Sequence, residues 1–111
     1  MGSEALHTAR HRAEEAIASL TRDLDQVMAA SESSNADDEH DPEGATIAFE
    51  RAQMTALLAQ AQERLVAIEQ ALLGVRSGTY GRCALCGEAI GEERLAARPA
   101  ATTCIACARR R

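Results

Sequence analysis

The sequence predicts a mainly α-helical protein, in which a long antiparallel helical hairpin, or coiled coil, precedes a small C-terminal module built on four cysteines. Apolar residues recur at alternating steps of three and four over two long segments, and a polar acidic stretch separates these segments. This spacing is typical of helices that pack along a seam. Aromatic residues make up only 2% of the 111 residues, and the four cysteines lie in two pairs near the C-terminus. We therefore assign residues 1–78 to the hairpin and residues 79–111 to the cysteine module.

The first helix is predicted to begin near Ser3 and to end between Ser31 and Ser34. Its seam has one apolar residue at Leu6 and continues one heptad later with Ala13, Ile17, Leu20, Leu24, Val27 and Ser31. A helix of about 30 residues is about 45 Å long. One apolar seam needs one partner helix.

The second helix supplies that partner. Its seam is formed by Met54, Leu58, Ala61, Leu65, Ile68, Leu72 and Val75. Asp41 followed by Pro42 marks the start of the helix, because Asp caps the first turn and the missing N–H of Pro has no consequence there. Gly78 marks its end, since glycine readily adopts the left-handed conformation after the last helical residue.

The connection between the helices, residues 33–44, reads SSNADDEHDPEG and holds five carboxylates. A connection this short requires the chain to reverse, which predicts the antiparallel arrangement and places the acidic loop at the tip of the hairpin. Polar loops are common at protein surfaces, so an ordinary hydrated turn is an equal alternative at this point.

The formal net charge of −5 is unevenly divided. Residues 1–75 hold five Arg against fourteen Asp and Glu, whereas residues 76–111 hold seven Arg against three Glu. An acidic body is a poor ligand for phosphates, which argues against direct DNA binding. The sequence lacks an apolar run long enough for a membrane span and an apolar signal segment, so we expect a cytoplasmic protein that does not bind membranes.

The cysteine module reads CALCGEAIGEERLAARPAATTCIAC over residues 83–107. Cys83 with Cys86 and Cys104 with Cys107 form two C-x2-C pairs, and the separation between the pairs is typical of a four-thiolate zinc site. Two disulfides or a pair of redox dithiols are the alternatives. A reducing compartment and the absence of a thioredoxin-like context favour zinc over both.

Four thiolates would fill the coordination sphere of one zinc ion and leave no open position for water. We therefore predict one structural Zn²⁺, no catalytic residues and no enzymatic activity. Zinc binding on the order of 10 kcal/mol would provide the folding free energy that such a short segment lacks.

The module resembles the DksA/TraR family of bacterial RNA polymerase-binding proteins, through the run GTYGRCALCGEAIGEERLAARPAATTCIAC at residues 78–107. The residues that carry the resemblance are Gly78, Tyr80, Gly81, Cys83, Cys86, Gly87, Ile90, Arg94, Leu95, Ala97, Pro99, Cys104 and Cys107. The resemblance implies a transcription regulator whose zinc-bearing end rests on the rim of the polymerase secondary channel. It also implies that the coiled coil reaches inward, so that its acidic tip alters promoter open complexes near the active site.

Asp38 and Asp41 match the two aspartates of the family's tip, and Asp37 lies beside them. Glu43 stands where the family carries a small Ala, which is a departure from the pattern. In some members the alarmone ppGpp acts together with the protein, so the resemblance implies ppGpp as a ligand at the polymerase interface. Candidate contacts to the polymerase rim or to phosphate are Arg94, Arg98 and Arg109.

Two other functions remain open at this point. The acidic tip could hold a second magnesium ion for transcript cleavage by the polymerase, as Gre factors do. Gre factors lack the four zinc-binding cysteines, however. The third possibility is a zinc-stabilised adaptor that binds another protein, or binds DNA through its arginines.

Overall fold

The computed structural model describes residues 3–34 and 42–110. Within these residues the chain forms four helices: α1 (Ser3–Ser34), α2 (Pro42–Ser77), α3 (Glu92–Ala97) and α4 (Ile105–Arg109). The described residues contain no β-strand, and Arg82 and Ala89 form an isolated antiparallel bridge. The predicted fold class, a long helical hairpin followed by a small cysteine module, is confirmed.

The described residues fall into two compact units. The finger unit comprises residues 3–12 and 64–110, and therefore combines the cysteine module with the start of α1 and the end of α2. The hairpin unit comprises residues 13–34 and 42–63. The predicted domain boundary between residues 78 and 79 stays a prediction.

The hairpin unit is held together by the predicted seam. Ala13 and Ala61 are its most deeply buried residues, with 1% and 2% of their surfaces exposed. The remaining seam positions are half-buried: Ile17, Leu20, Leu24, Val27, Ser31, Met54 and Leu58. Ile47, one heptad before Met54, is half-buried too and extends the seam beyond the predicted segment.

The helical part of the finger unit continues the same pattern. Leu6 and Ile68 are buried, and Leu65, Leu72 and Val75 are half-buried. Near them a guanidinium nitrogen of Arg10 on α1 lies 3.9 Å from a carboxylate oxygen of Glu69 on α2. Both side chains are largely exposed to water, so this pair adds little stability. The contact joins the start of α1 to the end of α2, as an antiparallel hairpin requires.

Both long helices have the predicted ends. α2 begins at Pro42, and it stops at Ser77 because Gly78 adopts a φ of 81°. The N–H of Thr79 then donates to the carbonyl of Gly74 over 2.9 Å, which is the helix-ending bond of a Schellman motif. Asp41 lies outside the described residues, so its capping role stays a prediction.

None of the helices in residues 3–34 and 42–110 is both long enough and apolar enough to cross a bilayer.

Candidate metal centre

The first pair of cysteines lies on a tight loop, the first knuckle (residues 83–87). The N–H of Cys83 donates to the carbonyl of Glu88 over 2.8 Å, and the N–H of Gly87 donates back to the carbonyl of Cys83 over 2.9 Å. Gly87 has a φ of 77°, a conformation that residues with a Cβ rarely adopt. Gly87 thereby lets the loop turn directly after Cys86.

The second pair forms the second knuckle (residues 104–107), at the start of α4. Cys104 is the N-cap residue of this helix, and its sulfur accepts a hydrogen bond from the N–H of Cys107 over 3.5 Å. The N–H of Ala108 donates to the carbonyl of Cys104 over 2.9 Å. One helical turn therefore brings the two sulfurs of the pair to the same side.

Two hydrogen bonds hold the second knuckle against the rest of the finger. The N–H of Ala84 donates to the carbonyl of Thr102 over 2.8 Å. The Nε of Arg94, on α3, donates to the carbonyl of Thr103 over 2.7 Å. The second knuckle thus arrives beside the first through bonds to the two residues immediately before Cys104.

These contacts bring the four sulfur atoms within 4.8 Å of one another. The sulfurs of Cys86 and Cys104 are 3.8 Å apart. Four sulfurs at 2.3 Å from a tetrahedral zinc ion are separated by about 3.8 Å, so the spacing fits a single ion. None of the cysteines is in a disulfide. The residues present therefore fit the predicted zinc site.

Hydrogen bonding divides the four thiols into more and less acidic groups. Backbone N–H groups of Cys104 and Cys86 lower the pKa of the Cys83 thiol to about 6. Side-chain hydrogen bonding to Cys104, and then to Cys83 and Cys86, raises the pKa of the Cys107 thiol to about 12. At neutral pH the four sulfurs therefore do not all ionise side by side without a cation, and a divalent ion removes that repulsion.

Around the sulfurs the finger has a very small apolar core. Its buried residues are Cys83, Ile90 and Cys107, with Leu95, Ala101 and Cys104 packed against them. Two ligands of the ion are thus themselves core residues. This agrees with the prediction that metal binding, more than apolar burial, stabilises the segment.

The other predicted site residues are divided between described and undescribed parts of the chain. Asp37, Asp38 and Asp41 lie outside the described residues, as does the side chain of Glu43. Of the three candidate arginines, Arg98 and Arg109 are exposed, while Arg94 is half-buried.

Sequence reasoning missed the residues that close the finger. The hydroxyl of Tyr80 donates to the carbonyl of Pro99 over 2.8 Å, and burial raises the pKa of that hydroxyl. From the sequence, Tyr80 was recognised only as part of the family pattern, and Arg94 as part of that pattern and as a candidate contact to the polymerase rim or to phosphate. Both residues have a long side chain that ends in a hydrogen-bond donor, and they lie in a segment rich in small apolar residues. This feature could have indicated their role from the sequence.

Comparison with known proteins agrees with this geometry. Residues 78–111 match the sequence model of the prokaryotic dksA/traR C4-type zinc finger. The structure of transcription factor DksA2 from Pseudomonas aeruginosa is similar to this chain, with a TM-score of 0.57 and 26% sequence identity. The match covers 95% of this chain and 81% of the DksA2 chain. The uncharacterized protein YteA of Bacillus subtilis (strain 168) is 42% identical over 66 residues.

The match to YteA takes up 60% of this chain but 28% of YteA. The chain therefore spans less than a third of the length of that relative. The match to DksA2 extends over both long helices and the finger, and the four cysteines form the binding site for one structural zinc ion. Residues 78–111 therefore form a C4-type zinc finger that is similar to the prokaryotic dksA/traR type.

Proposed function

We propose that the protein binds RNA polymerase through its secondary channel and modulates promoter open complexes with the acidic stretch between α1 and α2. One observation carries the proposal. The zinc finger of a transcription-factor family lies on the same chain as a long hairpin, and the similarity to transcription factor DksA2 covers 95% of that chain. The identity of the partner and the route of entry are our inference.

The two parts of the chain have different tasks in this proposal. The finger, clamped by zinc, gives a rigid surface for binding the polymerase. Asp37, Asp38, Asp41 and Glu43 give the negative charge, and most of the sequence of α2 separates them from the finger along the chain. Carboxylates that enter a confined site of low dielectric interact strongly with the magnesium ions and basic side chains of a polymerase active site.

A shallow groove of about 420 Å³ in the finger unit supports a second component of the proposal. Arg64 and Arg98 both line it, and Ile68 and Pro99 contribute apolar surface. Two guanidinium groups beside apolar surface suit an anionic nucleotide. We include ppGpp as a ligand of this groove at the polymerase interface, with Arg109 as a contact to the polymerase rim or to phosphate.

RNA polymerase as the partner implies a location for the protein and makes direct binding to DNA unnecessary. RNA polymerase works in the bacterial cytoplasm, and we place the protein there. No contact with DNA is required, and the acidic balance of residues 1–75 disfavours one.

The test replaces Asp38 and Asp41 together by Asn, which removes two charges at nearly constant volume. We expect unchanged binding to core polymerase but loss of the effect on the lifetime of promoter open complexes. The matched control is Asp23→Asn with Asp25→Asn, because these exposed residues of α1 carry the same charge away from the acidic stretch. Equal regulatory activity of the Asp38 and Asp41 double variant and wild type would contradict the proposed role of the tip.

The two alternative functions have separate readouts. Transcript cleavage would release short 3′ fragments from stalled elongation complexes, and we expect none. A DNA-binding adaptor would co-purify with nucleic acid in a salt-sensitive manner, because phosphate contacts release counterions. Recovery of polymerase subunits without nucleic acid is the result we predict.

A further inference from the structure

The two knuckles each expose one large apolar side chain that the zinc site does not use. Leu85, inside the first C-x2-C, has 58% of its surface exposed, and Ile105, inside the second, has 48% exposed. Both adjoin the cysteines whose sulfurs are 3.8 Å apart, Cys86 and Cys104. We propose that Leu85 and Ile105, here called the knuckle patch, anchor the finger on an apolar, carboxylate-edged surface of RNA polymerase.

Leu85 and Ile105 face water although the finger is short of apolar material. The finger has so little apolar material that two cysteines form most of its buried core. A segment short of core would gain by burying a leucine and an isoleucine, at roughly 25 cal/mol per Å². Leu85 lies instead on the loop of the first knuckle and Ile105 at the start of α4, each beside a cysteine of the metal site. Zinc therefore stabilises the fold while leaving these two side chains available to a partner.

Three exposed arginines belong to the two knuckles or adjoin them in sequence. Arg109 and Arg110 are exposed in and just after α4, and Arg109 follows Ile105 by one helical turn. Arg82 extends over the first knuckle, where its guanidinium donates to the carbonyl of Gly87 over 3.3 Å. Glu88, which directly follows that knuckle in sequence, is an exposed carboxylate. An apolar centre with an arginine-rich rim is typical of protein interfaces.

The apolar centre and the arginine rim of the knuckle patch suit a protein partner. Nucleic acid is a poor match, because the centre of the patch offers no hydrogen-bond donors to phosphate or to base edges. A second copy of the chain would bring one arginine rim against another, which opposes self-association through this face. A protein surface with apolar groups edged by Asp or Glu is complementary in both respects. Identifying that surface with RNA polymerase rests on the function proposed above.

The test measures the affinity of purified core RNA polymerase for the zinc-loaded full chain and its variants. Leu85→Ser and Ile105→Ser should each raise Kd about tenfold, since interface anchors cost more than 1.4 kcal/mol on truncation. The double variant should bind at least tenfold more weakly than either single one. Leu85→Met and Ile105→Val keep apolar surface and should bind within about threefold of wild type.

The matched controls are Val66→Ser and Leu73→Ser on α2. These side chains are 57% and 54% exposed, so the same chemical change is made away from the knuckles. We expect unchanged Kd for both. One zinc ion per chain and an unaltered circular dichroism spectrum show that each knuckle variant is folded.

The outcomes separate this inference from the proposed function. Binding of the Leu85 and Ile105 double serine variant within twofold of wild type would overturn the knuckle patch and leave the proposed function standing. Failure of the wild-type chain itself to bind polymerase would overturn the proposed function and, with it, the assigned partner. Equal loss of binding in the α2 controls would also overturn the inference, because affinity would then follow exposed apolar surface in general.

Discussion

The hydroxyl of Tyr80 donates to the carbonyl oxygen of Pro99 over 2.8 Å. This bond joins the segment that leaves α2 to the segment that follows α3, across 19 positions of sequence. It ties the finger to the end of the helical hairpin without involving a metal ligand. Tyr80 is half-buried, so water competes less for this bond than at the surface.

Tyr80→Phe should lower the free energy of unfolding by about 1 kcal/mol, because the carbonyl of Pro99 loses its donor. Urea unfolding of the zinc-loaded protein measures this value. The raised pKa of Tyr80 sets the sign of the pH effect: the bond is intact below the ordinary pKa of tyrosine and is lost as the pH rises through the higher folded-state value. Unfolding of Tyr80→Phe should lack this alkaline dependence, and equal dependence in both proteins would exclude the bond as its source.

Cys83→Ser should abolish stoichiometric zinc binding and unfold the finger, since one of four thiolates is lost and a residue of the small core becomes polar. Elemental analysis measures the zinc, and circular dichroism should show that most of the helical signal remains. A strong chelator should have the same effect on the wild-type protein, and added zinc should reverse it. Retention of one tightly bound ion in Cys83→Ser would contradict the four-thiolate site.

Zinc affinity should fall as the pH falls below the ordinary pKa of a cysteine thiol. Without zinc the finger is unfolded, so Cys83 lacks the backbone hydrogen bonds that lower its thiol pKa in the folded finger, and the thiols are protonated in the neutral range. A thiol whose pKa is lowered on folding contributes stability above its ordinary pKa, and this contribution is lost as the pH falls. Zinc binding should therefore displace more protons as the pH falls.

Competition with a chelator of known affinity, repeated across this range, gives the number of protons displaced from the slope of log Kd against pH. A slope that stays at zero as the pH falls below the ordinary pKa of cysteine would contradict this prediction, because the thiols would then be ionised before zinc binds.

Arg94→Ala should destabilise the finger by about 1 kcal/mol, because its bond to the carbonyl of Thr103 positions the residue before Cys104. Faster release of zinc to a chelator is the expected readout. Arg98→Ala is the control, since Arg98 is exposed and should leave zinc release unchanged. Normal zinc release by Arg94→Ala, combined with weaker polymerase binding, would instead assign Arg94 to the interface.

Most of the helical architecture could be predicted because its causes are local. The heptad steps place Ala13 and Ala61 in the seam, and the structure buries both. Gly78 ends α2 because it adopts the left-handed conformation, which glycine adopts more readily than other residues. The four zinc ligands could also be predicted from the sequence, because two C-x2-C pairs at this separation are typical of a zinc site.

The interior of the finger could not be predicted in the same way. The bonds from Tyr80 to Pro99 and from Arg94 to Thr103 join residues 19 and 9 positions apart, and no local periodicity encodes such pairs. Exposure of Leu85 and Ile105 was missed for a related reason. Apolar residues are expected to be buried, and the exposure of Leu85 and Ile105 is seen only once the two knuckles are folded.

The central claim is that the acidic stretch between α1 and α2 reaches the active site of RNA polymerase. A photo-crosslinking amino acid at position 38, in the zinc-loaded protein bound to polymerase, tests it most directly. We predict a crosslink to a subunit segment that lines the catalytic centre, and its loss when the finger is unfolded by Cys83→Ser. A crosslink confined to the outer surface of the polymerase, or to DNA, would contradict the account.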